Sequence, residues 1–176
     1  ALRGARIGVM VRDLTSGDTL CAHDADFGFM TASNMKLVAS TTALHTLGPD
    51  FRFTTKVVAR GAIQDGVLRG DLLLVGSGDP TLGGRHEPSA LAPLEVLAKT
   101  LRTNGLHTVS GSVLGIDDCQ VDDVMGDGWS WAYQGAGYAA QPSGLCFAEN
   151  VVRVVVHGSQ AGQPPSVRLE PDVGYL

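Results

Sequence analysis

Runs of β-branched and leucine-rich sequence, separated by turn signals, alternate along this chain with two longer stretches of helical spacing. The predicted strands cover residues 7–13, 19–23, 53–59, 67–68, 71–75, 109–116, 151–157 and 166–170. The predicted helices run from residue 33 to about 47 and from 89 to 104, with Gly48 and Gly105 as stop signals. The pattern therefore predicts a mixed α/β (α+β) fold.

The end of the first predicted helix also marks a change in the type of sequence. Residues 1–50 contain a hairpin and the helix, whereas residues 51–176 are β-rich, so we predict a domain boundary near 48–51. A long loop-like stretch at 117–144 contains Trp129, Trp131 and Tyr133. On a strand, Trp129 and Trp131 would share one face. These aromatic residues either pack in a core or form a wall that binds a substrate side chain.

Composition excludes several classes of function. The 176 residues carry a net charge of −5 without a basic stripe, so nucleic acid is not an expected partner. The longest apolar run is far too short to span a membrane. Ala1 opens directly into folded-looking sequence without a signal peptide, which favours a mature or trimmed start. The composition is that of an ordinary soluble globular protein.

Neither a metal nor a cofactor is expected from the spacing of possible ligands. The acidic cluster at 117–127 does not fit an EF-hand and is better explained as a solvated loop. The five histidines have no paired spacing typical of zinc sites. Cys21, Cys119 and Cys146 also lack metal-binding spacing, and their pairing stays open between one disulfide and three thiols.

Ser33 and Lys36 form the most informative pair in the sequence. Their spacing of three residues puts both side chains on one face of a helix, at its predicted N-terminus. A lysine amine that is held uncharged can then take the proton from the serine hydroxyl. The positive end of the helix would stabilise an oxyanion beside Ser33. This S-x-x-K layout is typical of enzymes that penicillin acylates on serine. Alternatively, Ser33 is only a helix N-cap and Lys36 a solvated surface charge.

Further segments make the chain resemble a known family. It resembles the N-terminal part of the D-alanyl-D-alanine carboxypeptidase/endopeptidases, the class C low-molecular-mass penicillin-binding proteins. The matching pieces occur in order between about residues 7 and 157. They are the hairpin at 7–23, TASNMKL at 31–37, LGPDFRFTT at 47–55, GVLRGDL at 66–72, GDPTL at 78–82 and GWSW at 128–131.

The resemblance implies a penicillin-recognising serine transpeptidase-like domain, of which residues 1–50 are the first part, followed by a β-rich inserted domain at 51–176. Ser33 would be the acylated nucleophile and Lys36 its general base, with the Ser33 N–H as one oxyanion donor. Substrates would be D-Ala-D-Ala termini or D-amino-acid cross-links of peptidoglycan stem peptides, with β-lactam antibiotics as covalent inhibitors. A periplasmic or exported location follows from that substrate.

Two departures from the family pattern qualify these expectations. The family also uses a Ser-x-Asn motif and a Lys-Thr-Gly strand, and the only Lys-Thr pair here, Lys99–Thr100, lies in a predicted helix. We therefore expect the remainder of the catalytic domain to supply both, and this chain alone to be inactive. Members also often carry an acidic residue after W-x-W, where Ala132 and Tyr133 stand here. The alternatives are a serine β-lactamase and a non-catalytic module that binds cell wall or protein.

Overall fold

The computed structural model describes residues 4–84, 86–117, 125–172 and 174 of the chain. They form two compact units, Ala1–Phe51 and Arg52–Leu176. Within the described ranges, no helix combines the length and the apolarity needed to cross a membrane.

The first unit opens with an antiparallel hairpin of β1 (Val9–Arg12) and β2 (Thr19–His23). Between the strands, a carboxylate oxygen of Asp13 accepts hydrogen bonds from the backbone N–H groups of Thr15 at 2.7 Å and Ser16 at 3.2 Å. These two bonds hold the pKa of Asp13 below its usual value. The predicted hairpin is confirmed, and Asp13 is the residue that shapes its turn.

The helix α1 (Met35–Leu47) follows a 3-10 turn at Ala32–Asn34. Gly48 ends α1 with a φ of 80°, and its N–H bonds the carbonyl of Leu44 at 3.0 Å. None of the α1 residues is buried by the part of the chain that the structure describes. Five of them nevertheless have large apolar side chains that stay exposed: Met35, Leu37, Val38, Leu44 and Leu47.

The second unit is built on a long antiparallel hairpin of β3 (Lys56–Gln64) and β4 (Val67–Val75). Its turn places Asp65 at φ 51° and Gly66 at φ 75°, and such positive angles are those that two-residue hairpin turns need. The prediction of separate strands at 67–68 and 71–75 was wrong, because β4 runs through Arg69 and Gly70 without a break.

The hairpin extends into a mixed sheet through β4. This strand pairs in parallel with β5 (Thr108–Val109) and β6 (Val113–Ile116), and α2 (Ala92–Thr103) lies between β4 and β5 in the chain. Leu68 and Leu72 of β4 are the buried apolar residues among those described, so β4 forms the centre of the core.

The predicted strand at 109–116 is interrupted, for a reason visible in its hydrogen bonds. Both the N–H and the hydroxyl of Ser110 bond the carbonyl of Leu68 at 3.0 Å, and the N–H of Ser112 bonds the carboxylate of Asp71 at 2.9 Å. These contacts take the place of regular pairing with β4 over residues 110–112, between β5 and β6.

A separate antiparallel hairpin follows these elements. It consists of β7 (Arg153–His157) and β8 (Ser166–Glu170), and the predicted strand at 166–170 is confirmed. An ion pair between Arg153 and Glu170, with N and O atoms 3.4 Å apart, joins the two strands.

Candidate functional site

Ser33 and Lys36 are in direct contact. Lys36 Nζ donates a hydrogen bond to Ser33 Oγ at 2.9 Å, the approach that their spacing predicts. Ser33 lies in the 3-10 turn, and Lys36 is the second residue of α1. Asn34, rather than Ser33, occupies the cap position of α1, and no side chain bonds the first amides of either helix. The interpretation of Ser33 as a simple N-cap was therefore wrong.

Aromatic contacts anchor the segment that leads into the serine. The ring of Phe29 lies so close to Gly8 that a Cβ at Gly8 would be 2.5 Å from the ring edge. The rings of Phe27 and Phe29 meet edge to face with centroids 5.1 Å apart. The guanidinium of Arg6 lies 4.1 Å from the centroid of Phe27 and 3.5 Å from a carboxylate oxygen of Asp24. Residues that flank the hairpin of the first unit thus hold the segment that precedes Ser33.

This arrangement brings a hydroxyl and an amine into contact on the exposed start of α1. A lysine amine within hydrogen-bond reach can remove the hydroxyl proton as the oxygen attacks an electrophilic carbon. The amides at the start of α1 supply a positive electrostatic potential beside Ser33. Ala32, directly before the serine, has a φ of 43° and turns the backbone sharply at that point.

The aromatic candidates lie on a segment of the second unit that is not a strand. Trp131 and Tyr133 belong to a 3-10 turn, where Ser130 Oγ accepts a hydrogen bond from the Ala132 N–H at 3.3 Å. The idea that Trp129 and Trp131 share a strand face therefore does not apply. Trp131 has 84% of its surface exposed, against 42% for Trp129.

A further aromatic residue joins this group. The ring of Tyr138 lies 6.0 Å from that of Tyr133, and 79% of its surface is exposed. Tyr138 was not among the predicted site residues, since the five-residue spacing across two 3-10 turns matches no regular period. Trp131 lies in the same 3-10 turn as Tyr133, and we call Trp131, Tyr133 and Tyr138 together the aromatic cluster.

The aromatic cluster lies within residues 125–142, and a carboxylate holds the residues that follow this segment. Asp117, which follows β6, accepts hydrogen bonds from Ser143 Oγ at 2.9 Å and from the Gly144 N–H. On the other side, the N–H of Gly78 bonds the carbonyl of Gly144 at 2.7 Å. These hydrogen bonds attach Ser143 and Gly144 to residues that follow β4 and β6 of the sheet.

Several other sequence candidates lie outside the described residues: Asp118, Cys119, Asp122 and Asp123. Cys21 and Cys146 are free thiols. Burial raises the pKa of Cys146, and the negative charges of Asp79 and Glu149 act in the same direction. Within the described ranges, no group of three metal-binding side chains is found.

Comparison with known proteins defines the family. The sequence model of the D-Ala-D-Ala carboxypeptidase 3 (S13) family matches residues 1–176, the whole chain. The chain belongs to that family.

Two curated relatives agree with this assignment. The chain is 34% identical over 187 residues to a D-alanyl-D-alanine carboxypeptidase from an Actinomadura species, which covers 99% of this chain and 32% of the relative. It is 24% identical over 128 residues to the D-alanyl-D-alanine carboxypeptidase DacB of Haemophilus influenzae, with 73% and 25% covered. The S13 chain thus spans about a third or less of these relatives.

Solved structures share its fold. Penicillin binding protein 4 (dacB) from Haemophilus influenzae superposes with a TM-score of 0.75 at 22% identity, over 93% of this chain and 34% of that one. The same protein in complex with a β-lactam gives a TM-score of 0.64 at 20% identity, over 96% and 32%. The mixed α and β fold of this S13 chain is therefore part of the fold of a penicillin-binding enzyme.

Proposed function

We propose that this chain is the nucleophile-bearing part of a serine-type D-Ala-D-Ala carboxypeptidase/endopeptidase that acts on peptidoglycan stem peptides. The 2.9 Å contact between Lys36 Nζ and Ser33 Oγ is the observation that carries this proposal, because it joins a nucleophile to a base. Family membership supports the choice of D-Ala-D-Ala peptides as substrate. An exported location follows from a cell-wall substrate.

The proposed reaction is acyl transfer in two steps. Ser33 Oγ attacks the carbonyl carbon of the penultimate D-Ala while its proton passes to Lys36 Nζ. The tetrahedral intermediate collapses, the C–N bond breaks, and the departing amine of the terminal D-Ala takes up a proton. Water then attacks the ester and releases Ser33. The backbone N–H of Ser33 would be one of two donors to the oxyanion.

Completion of the site is also part of the proposal. A segment with the Ser-x-Asn and Lys-Thr-Gly motifs would add the proton relay, the carboxylate-binding strand and the second oxyanion donor. We call this chain together with that segment the completed enzyme. Support comes from the relatives, of which this chain spans about a third or less, and from the uncovered apolar side chains of α1.

Trp129, Trp131 and Tyr133 would contact the peptide part of the substrate. Support for this role is the exposure of large aromatic surfaces, which binding sites commonly use. β-Lactams would acylate Ser33, since they present a strained amide to the same nucleophile. A β-lactam complex of the structurally similar Haemophilus protein agrees with this.

Labelling of the completed enzyme with a fluorescent penicillin tests the proposal. We expect one covalent label per chain, which the Ser33→Ala variant loses. Slow release of the label is expected for a peptidase, whereas rapid release would favour a serine β-lactamase. A folded protein that takes up no label would instead support a non-catalytic binding module and contradict the proposal.

A further inference from the structure

One carboxylate holds the residues that follow the segment with the aromatic cluster. Asp117 and Ser143 are 26 residues apart in sequence, yet Asp117 Oδ2 accepts a hydrogen bond from Ser143 Oγ at 2.9 Å. The other oxygen, Oδ1, accepts from the Gly144 N–H. Hydrogen bonds to an ionised carboxylate are stronger than neutral ones. Asp117 thus fixes the point where the chain returns from residues 125–142.

Gly76 and Gly78, which follow β4, contact the same part of the chain. The N–H of Gly78 donates to the carbonyl of Gly144, and Ser143 Oγ accepts from the Leu145 N–H at 3.1 Å. Gly76 lies so close to Gly144 that a Cβ at Gly76 would overlap the Gly144 carbonyl. Four hydrogen bonds and the close approach of Gly76 therefore meet at 143–145, which we call the anchor.

The anchor is attached to the rigid part of the unit. Asp117 follows directly after β6, whose last residue, Ile116, stands opposite Val75 at the end of β4. β4 contains Leu68 and Leu72, which are the buried leucines among the described residues. Hydrogen bonds at 143–145 reduce the positions that the side chains of residues 125–142 sample. Catalysis is sensitive to a misplacement of the substrate by about 1 Å.

We propose that Asp117 is a positioning residue for peptide substrates: through Ser143 and Gly144 it holds the aromatic cluster where the stem peptide binds. The inference rests on the proposed function, because it assumes a peptide substrate at this cluster. Asp117 itself does not touch the reacting atoms. Its loss should therefore affect recognition of the peptide far more than reactivity of the serine.

The experiment compares two substrates in the completed enzyme. In Asp117→Ala, we expect KM for a D-Ala-D-Ala stem peptide to rise about tenfold or more, with kcat changed less. The rate of Ser33 labelling by a small penicillin should stay within about twofold, because that reagent lacks the stem peptide. Asp117→Asn keeps an acceptor oxygen for the Gly144 N–H and should restore much of the affinity. Gly76→Ala, which distorts the anchor by overlap, should raise KM in the same way.

Asp71→Ala is the matched control. Asp71 also accepts a backbone hydrogen bond, from the Ser112 N–H at 2.9 Å, but it lies toward the other end of the pairing between β4 and β6. The Asp71→Ala variant should lower the melting temperature without a selective rise in KM for the peptide. The inference is overturned if folded Asp117→Ala and Gly76→Ala variants keep wild-type KM, or if Asp71→Ala raises KM equally. It is also overturned if penicillin labelling falls in parallel with peptide turnover. Absence of label on the wild-type enzyme, measured first, would identify failure of the proposed function itself.

Discussion

Gly61 and Gly70 stand directly opposite each other in the hairpin of β3 and β4, and neither position has room for a Cβ. Their φ angles are 150° and 151°, and a Cβ on either would overlap a backbone carbonyl of the facing strand. The two strands therefore approach more closely here than side chains would allow. The pairing of β3 with β4 is unbroken through this position, where the sequence predicts a break in β4.

Replacement of either glycine should destabilise the second unit. We expect Gly61→Ala and Gly70→Ala each to lower the free energy of unfolding by about 1–3 kcal/mol, because the alanine must adopt an unfavourable φ against a fixed backbone. Thermal unfolding of the completed enzyme followed by circular dichroism measures the change. Gly158→Ala, where a Cβ meets nothing within 4 Å, is the control and should be nearly neutral. Equal melting temperatures for all three variants would contradict the close approach.

Asp71 should make stability depend on pH. The hydrogen bond from the Ser112 N–H, followed by that from Arg60, lowers the pKa of Asp71 below its ordinary value of 3.8. Because the folded pKa is depressed, this stabilisation is fully present above the unfolded pKa and is lost as pH falls through the folded pKa. The difference in unfolding free energy between wild type and Asp71→Asn should thus be largest near neutral pH and shrink in acid.

Denaturant unfolding at neutral pH and at a pH well below 3.8 measures this difference. Arg60→Met should reduce the pH dependence only partly, since the backbone hydrogen bond is the larger cause. A wild-type advantage that is equal at both pH values would contradict the assignment.

Lys36 should control the rate of acylation rather than binding. Loss of a general base typically costs 10²–10⁴-fold, so Lys36→Ala should slow penicillin labelling of Ser33 by about that factor. Lys36→Arg should not restore the rate, because a guanidinium stays protonated and cannot accept the serine proton. Stopped-flow labelling of the completed enzyme separates the acylation rate from initial affinity. Near-wild-type acylation by Lys36→Arg would show that the residue acts only through its charge.

Trp131 should contribute to peptide binding but little to stability. Since 84% of its surface is exposed, Trp131→Ala should leave the melting temperature almost unchanged. Loss of an aromatic contact worth about 0.5–1.5 kcal/mol would raise KM for a stem peptide by roughly two- to tenfold. Val167→Ala, which shortens an exposed apolar side chain on β8, provides a control for general surface effects. Unchanged KM in Trp131→Ala would remove Trp131 from the proposed binding surface.

Local signals in the sequence predict some elements well. The strands 19–23 and 166–170 match the observed bounds because turn residues and prolines flank short β-rich runs. Asp65 and Gly66 identify the long hairpin for the same reason. The contact between Ser33 and Lys36 follows from helical spacing alone.

Other features depend on partners that are distant in sequence. The extension of β3 to Gln64 arises from pairing with β4, although Gly61 has a weak strand preference. The role of Asp117 arises from Ser143 and Gly144, 26 and 27 residues away. Tyr138 reaches Tyr133 only because two irregular 3-10 turns follow each other. No periodic pattern predicts contacts of this kind.

Identification of the acylated residue tests the central claim most directly. The completed enzyme would be incubated with benzylpenicillin, digested, and its peptides analysed by tandem mass spectrometry. The account predicts one penicilloyl adduct on Ser33, formed far more slowly in Lys36→Ala and absent in Ser33→Ala. An adduct on a different serine, or none on protein shown to be folded, would contradict it.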